Sequence, residues 1–189
     1  SMCIRALASV TVSDLKAGDY TVAVKYAGDN NYNAVDVTKG VNVAKADAAL
    51  NVIINNVDYG NVFTVNAVLT GVNNAPLDTN IIVTVNGKNY IVAIVNGKGT
   101  FHADKLAAGS YNFNARFAGS NNYNEVSDSG KFNVYKVDSA IGITVKDINV
   151  GEDAVITVKL FSDATGELTV TVNGKDYTAN VVNGRATVT

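Results

Sequence analysis

Tryptophan is absent from the 189 residues, and cysteine, histidine, methionine and proline each occur once. With Cys3 and His102 alone, one chain can build neither a disulfide framework nor a His/Cys metal cluster. Charge is sparse too: 17% of residues are charged and the net charge is −2. Duplex recognition needs a basic face, so nucleic acid is not expected as a partner. No apolar run is long enough for a membrane span, and no stretch reads as a signal peptide. Glycine patterns that cradle phosphates, Gly-x-Gly-x-x-Gly or the Walker sequence, do not occur. Acid–base catalysis wants two carboxylates facing one pocket. Asp14 and Asp104, like Asp47 and Asp138, correspond by repetition rather than as a close pair. Asp47 near Asn121-Asn122 offers oxygen atoms to Ca²⁺, but the carboxylate count is low. Cys3 has no Lys or His context that would activate it, and His102 beside Phe101 reads as structural. The chain is expected to have no catalytic residue, no cofactor and no metal site.

What is abundant is valine, 30 residues, and asparagine, 25. β-branched residues favour strands, and Asn and Gly favour tight turns. Apolar residues alternate with polar ones in Tyr20–Tyr26, Phe63–Leu69 and Tyr111–Phe117, the pattern of strands with one wet face. Asn-Gly stands between strand residues at 86–87, 96–97, 173–174 and 183–184. A type I′ hairpin needs positive φ at both central positions, which this pair tolerates best. These turns predict three-strand meanders over 81–103 and 168–189. No stretch shows a helical period, so the chain reads as all-β.

The sequence repeats. Residues 20–45 align with 111–136 at a constant shift of 91, with 11 of the 26 positions identical. The shift holds through Leu69/Leu160 and falls to 87 at Val85/Val172, which places a shorter loop in the second copy. A period near 90 suits a tandem β-sandwich rather than a solenoid. Seven strands fit one period, at 49–55, 61–70, 79–86, 88–95, 98–104, 109–118 and 130–137.

Leu-Ala-Ala-Gly-Ser-Tyr at 106–111 and Leu-Lys-Ala-Gly-Asp-Tyr at 15–20 resemble the turn into strand F of an immunoglobulin fold. Ala-Gly-[Asp/Ser]-Asn-Asn-Tyr-Asn then follows the strand. Together they resemble bacterial Ig-like repeats of the third group, as strung along adhesin-like surface proteins of methanogenic archaea. The resemblance implies an immunoglobulin-like β-sandwich in tandem repeats of about 91 residues, extracellular and at the cell surface. It implies that Tyr20 and Tyr111 form tyrosine corners. Antibody-type hallmarks are missing: Phe113 and Val22 stand where a second cysteine would fall, so an apolar core replaces the disulfide.

Counted from strand A to strand G, only 46–136 is a whole domain. Residues 1–45 hold strands E to G of one domain, and 137–189 hold strands A to C′ and the start of E of another. Lys45–Ala48 and Lys136–Ser139 are short linkers without Gly or Pro. Half sandwiches expose an apolar face and open edges. Since the two halves are complementary, the tail of one molecule is expected to complete the head of another, with both 7–11 and 185–189 offering strand E. The expected function is a structural stalk. The alternative is a module that binds glycan or a surface protein through its F–G and B–C loops, with Tyr32, Tyr123, Asn121 and Asn122 as candidate ligand residues.

Overall fold

The computed structural model describes residues 7–189, which are all-β with one 3₁₀ turn at Val72–Asn74. The chain divides into two compact units, one ending at Tyr135 and the other Lys136–Thr189.

The first unit opens with a nine-residue antiparallel hairpin, β1 (Gly18–Tyr26) and β2 (Val35–Val43). A complete sandwich follows, built from β3 (Ala49–Ile54), β4 (Val57–Asp58), β5 (Val62–Thr70), β6 (Thr79–Val85), β7 (Lys88–Ile94), β8 (Lys98–Lys105), β9 (Gly109–Phe117) and β10 (Val126–Tyr135). One sheet has the order β3-β5-β8 and the other β4-β10-β9-β6-β7. All neighbours are antiparallel except β4, which lies parallel to β10. β10 starts at Val126, four residues before the strand expected at 130, and the two-residue β4 is an addition.

Alternation along each strand sends one set of side chains into a single core. Val65, Leu69, Val83, Val85 and Val92 are fully enclosed there, each worth roughly 1.5–3 kcal/mol of burial. The two sheets are locked by rings. Phe63 of β5 meets Phe132 of β10 at 5.1 Å and Tyr90 of β7 edge-on at 5.6 Å, and Phe132 stacks on Tyr111 at 5.6 Å. Phe113 is buried in this core, without a disulfide.

The Asn-Gly turns have the expected backbone, for example Asn96 φ 50° and Gly97 φ 76°. The expected three-strand meander is nonetheless corrected. β6 and β7 form a hairpin, but β7 and β8 share only the bridge Val95/Lys98 before β8 crosses to the opposite sheet. The corner is captured by distant chain: Gly97 accepts from the Leu69 N–H and donates to Leu77 O, and Asp78 Oδ1 accepts the Asn96 N–H. Gly99 then passes so close to Ala93 O that a Cβ would sit 2.6 Å from it.

The second unit comprises β11 (Gly142–Thr144), β12 (Ile156–Lys159), β13 (Gly166–Val172), β14 (Lys175–Val181) and β15 (Arg185–Val188). β11-β12-β15 repeats the order of β3-β5-β8, and β13-β14 repeats β6-β7. Here too the third strand changes sheets after one bridge, Val182/Arg185, so the meander at 168–189 is corrected in the same way. The strand expected at 7–11 is also corrected: residues 7–17 carry none. In the complete domain β8 is held by β5, and the hairpin β1-β2 brings no counterpart of β5 for that segment to pair with.

Candidate functional site

β1 and β9 are each entered through a tyrosine that ties down the preceding turn. The Tyr111 hydroxyl donates to Ala107 O at 2.7 Å and the Tyr20 hydroxyl to Lys16 O at 2.8 Å. Cys3 lies outside the described residues.

The loops β1–β2 and β9–β10 are ordered by a polar side chain near their start. Ser120 Oγ accepts from the Asn122 and Tyr123 N–H groups at 3.3 and 3.2 Å. Asp29 Oδ1 does the same for Asn31 and Tyr32, at 2.7 and 2.8 Å. The Asn31 N–H foremost, then the Tyr26 hydroxyl and the Tyr32 N–H, hold the Asp29 carboxyl below its usual range, and the hydrogen bond to Asp29 pushes the Tyr26 hydroxyl up.

Tyr123 lies half-buried over Gly71, where any Cβ would be 2.3 Å from its hydroxyl oxygen, and that oxygen accepts the Val72 N–H at 3.2 Å. Asn122 and Asn124 face the linker. Ala46 donates to Asn122 O and accepts from the Asn124 N–H, both at 2.9 Å, a one-residue parallel bridge. Asn124 Nδ2 donates to Asp47 Oδ1 at 2.9 Å, and Asn122 Oδ1 accepts the N–H of Ala17, just before β1, at 3.0 Å. The loop thus ties Ala17 and Ala46, which flank the hairpin β1-β2, to the sandwich. Asn121 is exposed, and so is Tyr32 at 63%.

Sequence reasoning did not bring Lys88, Tyr90 and Asp104 together. The Lys88 ammonium contacts Asp104 Oδ2 at 2.5 Å and the Tyr90 hydroxyl donates to it at 2.8 Å. Lys88, followed by Tyr90, holds the Asp104 carboxyl below its usual range. Burial, with Asp104 beside it, pushes the Tyr90 hydroxyl up to about 12. His102 Nδ1 shares a hydrogen bond with Thr64 Oγ1 at 2.9 Å. Among the described residues, no group of three or more His, Cys, Asp or Glu side chains is placed to hold a metal ion. No helix among them is long and apolar enough to cross a membrane.

The largest chemical feature is a pair of open apolar faces. Positions that align at the sequence shifts of 91 and 87 differ sharply in exposure. Phe113 is 5% exposed and Val22 49%; Ala115 is 0% and Val24 61%; Phe132 is 1% and Val41 43%. In the second unit, Ile143 is 67% exposed where Val52 is 5%, and Val172 47% where Val85 is 0%. A shallow groove on the hairpin is lined by Val22, Val24, Val37 and Val41, with Lys39 among them. The open faces carry strand edges as well. β9 lies between β10 and β6, whereas β1 pairs with β2 alone among the described residues, and β13 with β14 alone.

No family model matches the chain, and neither does any curated protein.

Proposed function

We propose that the chain is a segment of an immunoglobulin-like stalk: tandem sandwich repeats of a large extracellular surface protein, whose split terminal domains are completed by other copies. The sheet orders β3-β5-β8 and β4-β10-β9-β6-β7 support this reading, with strands A, B and E set against A′, G, F, C and C′. The adhesin-like setting comes from the resemblance of the repeat motifs.

One observation carries the reading: positions sealed in the complete domain are open in the flanking repeats. The hairpin β1-β2 supplies F and G, and the second unit supplies A, B, C, C′ and E. An exposed apolar sheet face with open edges is unstable against pairing. The fixed joint at Ala46 suits a spacer, because it sets the direction of one repeat from the loop of the next.

Light scattering behind size exclusion tests this over a hundredfold range of protein concentration under reducing conditions. The expected result is a mass of two or more times the 19.8 kDa of one chain, persisting or growing with concentration. A mass of one chain throughout overturns completion between copies.

A further inference from the structure

The four Asn-Gly pairs share their flanks. Val-Asn-Gly-Lys stands at 85–88, 95–98 and 172–175, and Val-Asn-Gly-Arg at 182–185. A glycine after asparagine puts no side chain in the way when its backbone nitrogen approaches the asparagine carboxamide. Local sequence therefore gives the four carboxamides nearly equal reactivity, and differences among them come from the fold.

The fold sorts them into two classes. Asn86-Gly87 and Asn173-Gly174 are the tips of the hairpins β6-β7 and β13-β14. All four of these residues are exposed, and a Cβ on either glycine would meet nothing within 4 Å. Among the described residues, no acceptor meets the Gly87 or Gly174 N–H. Asn96-Gly97 and Asn183-Gly184 are instead the corners where the chain changes sheets. Their asparagines are exposed but their glycines are buried. The Gly97 N–H donates to Leu77 O at 3.1 Å, its carbonyl accepts the Leu69 N–H at 2.9 Å, and Asp78 Oδ1 holds the Asn96 N–H. Gly184 O accepts the Leu160 N–H at 2.7 Å, and a Cβ at 184 would stand 2.3 Å from Phe161 O.

We propose that Asn86 and Asn173 are sites of spontaneous modification, converted to isoaspartate and aspartate, while Asn96 and Asn183 are shielded by the corners that grip their glycines. The Gly87 amide gives its proton to a solvent base, and its nitrogen attacks Asn86 Cγ. The N–Cγ bond forms, the Cγ–Nδ2 bond breaks, and Nδ2 takes up a proton and leaves as ammonia. Water then opens the five-membered imide. Hydrolysis at Cγ gives aspartate; hydrolysis at the main-chain carbonyl carbon of residue 86 gives isoaspartate. One water is consumed, one ammonia is released, and nothing is oxidised or reduced. Asn173 and Gly174 react in the same way. Closing the imide requires the Asn-Gly peptide to rotate. At the tips it turns in open solvent; at the corners hydrogen bonds must open first.

Each event adds one negative charge. Isoaspartate also puts an extra carbon into a two-residue turn whose length sets the register of its hairpin. β7 is the last strand of its sheet, next to β6 alone, so the change at residue 86 falls on a sheet edge.

Oxygen-labelled water tests this. The chain is incubated at mildly alkaline pH, folded and in guanidinium, then digested in ordinary water so that later events stay unlabelled. Mass spectrometry with fragmentation that separates isoaspartate from aspartate maps the label. In guanidinium the four sites should convert at similar rates. In the folded chain residues 86 and 173 should convert at least about tenfold faster than 96 and 183, the upper range of what one typical hydrogen bond provides. Asp78→Ala should quicken residue 96 by about 2- to 12-fold and leave 183 as it was. Similar rates at all four folded sites, faster conversion at 96 or 183, or tips that stay intact while the unfolded chain converts would overturn the proposal. An unmoved residue 96 in a folded Asp78→Ala chain overturns the shielding, and the parent-chain comparison decides alone where that variant does not fold.

Discussion

The inner face of the complete domain holds a contact that the repeats vary in concert. Gly130 lies opposite Phe113 on adjacent strands, and a Cβ at 130 would stand 2.6 Å from the Phe113 Cε1 and Cζ atoms. Phe113 is buried, so its ring has nowhere to swing. In the hairpin β1-β2 the aligned pair is Val22 opposite Lys39: where the side chain returns, the ring is gone. Gly130→Ala should therefore cost stability through overpacking. Roughly 1–3 kcal/mol of strain is offset by the ~0.4–1 kcal/mol gained when a strand glycine loses unfolded-state freedom, leaving a net cost near 1–2 kcal/mol. Phe113→Val alone opens a cavity and should cost about 2 kcal/mol, less than the 3–5 of a full truncation to alanine. The double variant should cost less than the sum by about 1–2 kcal/mol, because the smaller side chain vacates the space the new methyl needs. Urea unfolding by circular dichroism gives the totals, and amide exchange along β9 and β10 localises them. Additive costs, within about 0.3 kcal/mol, would refute the idea that Gly130 is required by the ring.

Two further outcomes follow from the polar contacts. Tyr90 keeps its proton to about pH 12 in the fold, against about 10 unfolded. Its contribution is therefore complete below pH 10 and lost progressively as pH rises from 10 to 12, up to roughly 2–3 kcal/mol. Tyr90→Phe should flatten the stability profile over that window relative to the parent chain, and parallel profiles would refute this. At the joint, Asn122→Ala removes the acceptor for the Ala17 N–H. At about 0.5–1.5 kcal/mol for one hydrogen bond, exchange of the Ala17 amide should quicken roughly 2- to 12-fold while β5 and β6 exchange as before; an unchanged Ala17 amide would show that the loop does not hold the segment before β1.

Strands were legible wherever one face is dry and the other wet, since Phe63, Val65, Ala67 and Leu69 alternate with residues that point outward. The start of β10 was less so, because Asp128 faces inward, its carboxylate accepting the Val52 N–H at 2.7 Å. An acid at an inward position breaks the pattern although it is satisfied in three dimensions. Asn-Gly announced where the chain turns, not which sheet it joins next. That choice rests on Leu69, Leu77 and Asp78 gripping the 96–97 corner from about twenty to thirty positions away. The segment 7–11 looked like a strand because local pattern cannot register a missing partner. The loop Ser120–Asn124 was visible as a recurring motif, but its contacts with Ala17, Ala46, Gly71 and Val72 lie too far along the chain for spacing to reveal.

The passage of the chain through the complete domain has a consequence under tension. The chain enters beside one end of β10 and leaves from the other, so a pull on the two ends acts along that strand. The parallel pairing of Val57 and Asp58 with Val134 and Tyr135 then lies in shear. Beside it stand Asn133 N–H to Asn56 Oδ1 at 2.7 Å, Tyr59 N–H to Tyr135 O at 2.8 Å, and Val52 N–H to Asp128 Oδ2 at 2.7 Å. These bonds share the load together instead of parting one by one, as in a peeled hairpin. Endurance under force is a rate, set by the barrier to the first rupture. In this domain that barrier sits in a short line of polar contacts along β10, at its edge, and the apolar interior is exposed only after they have sheared.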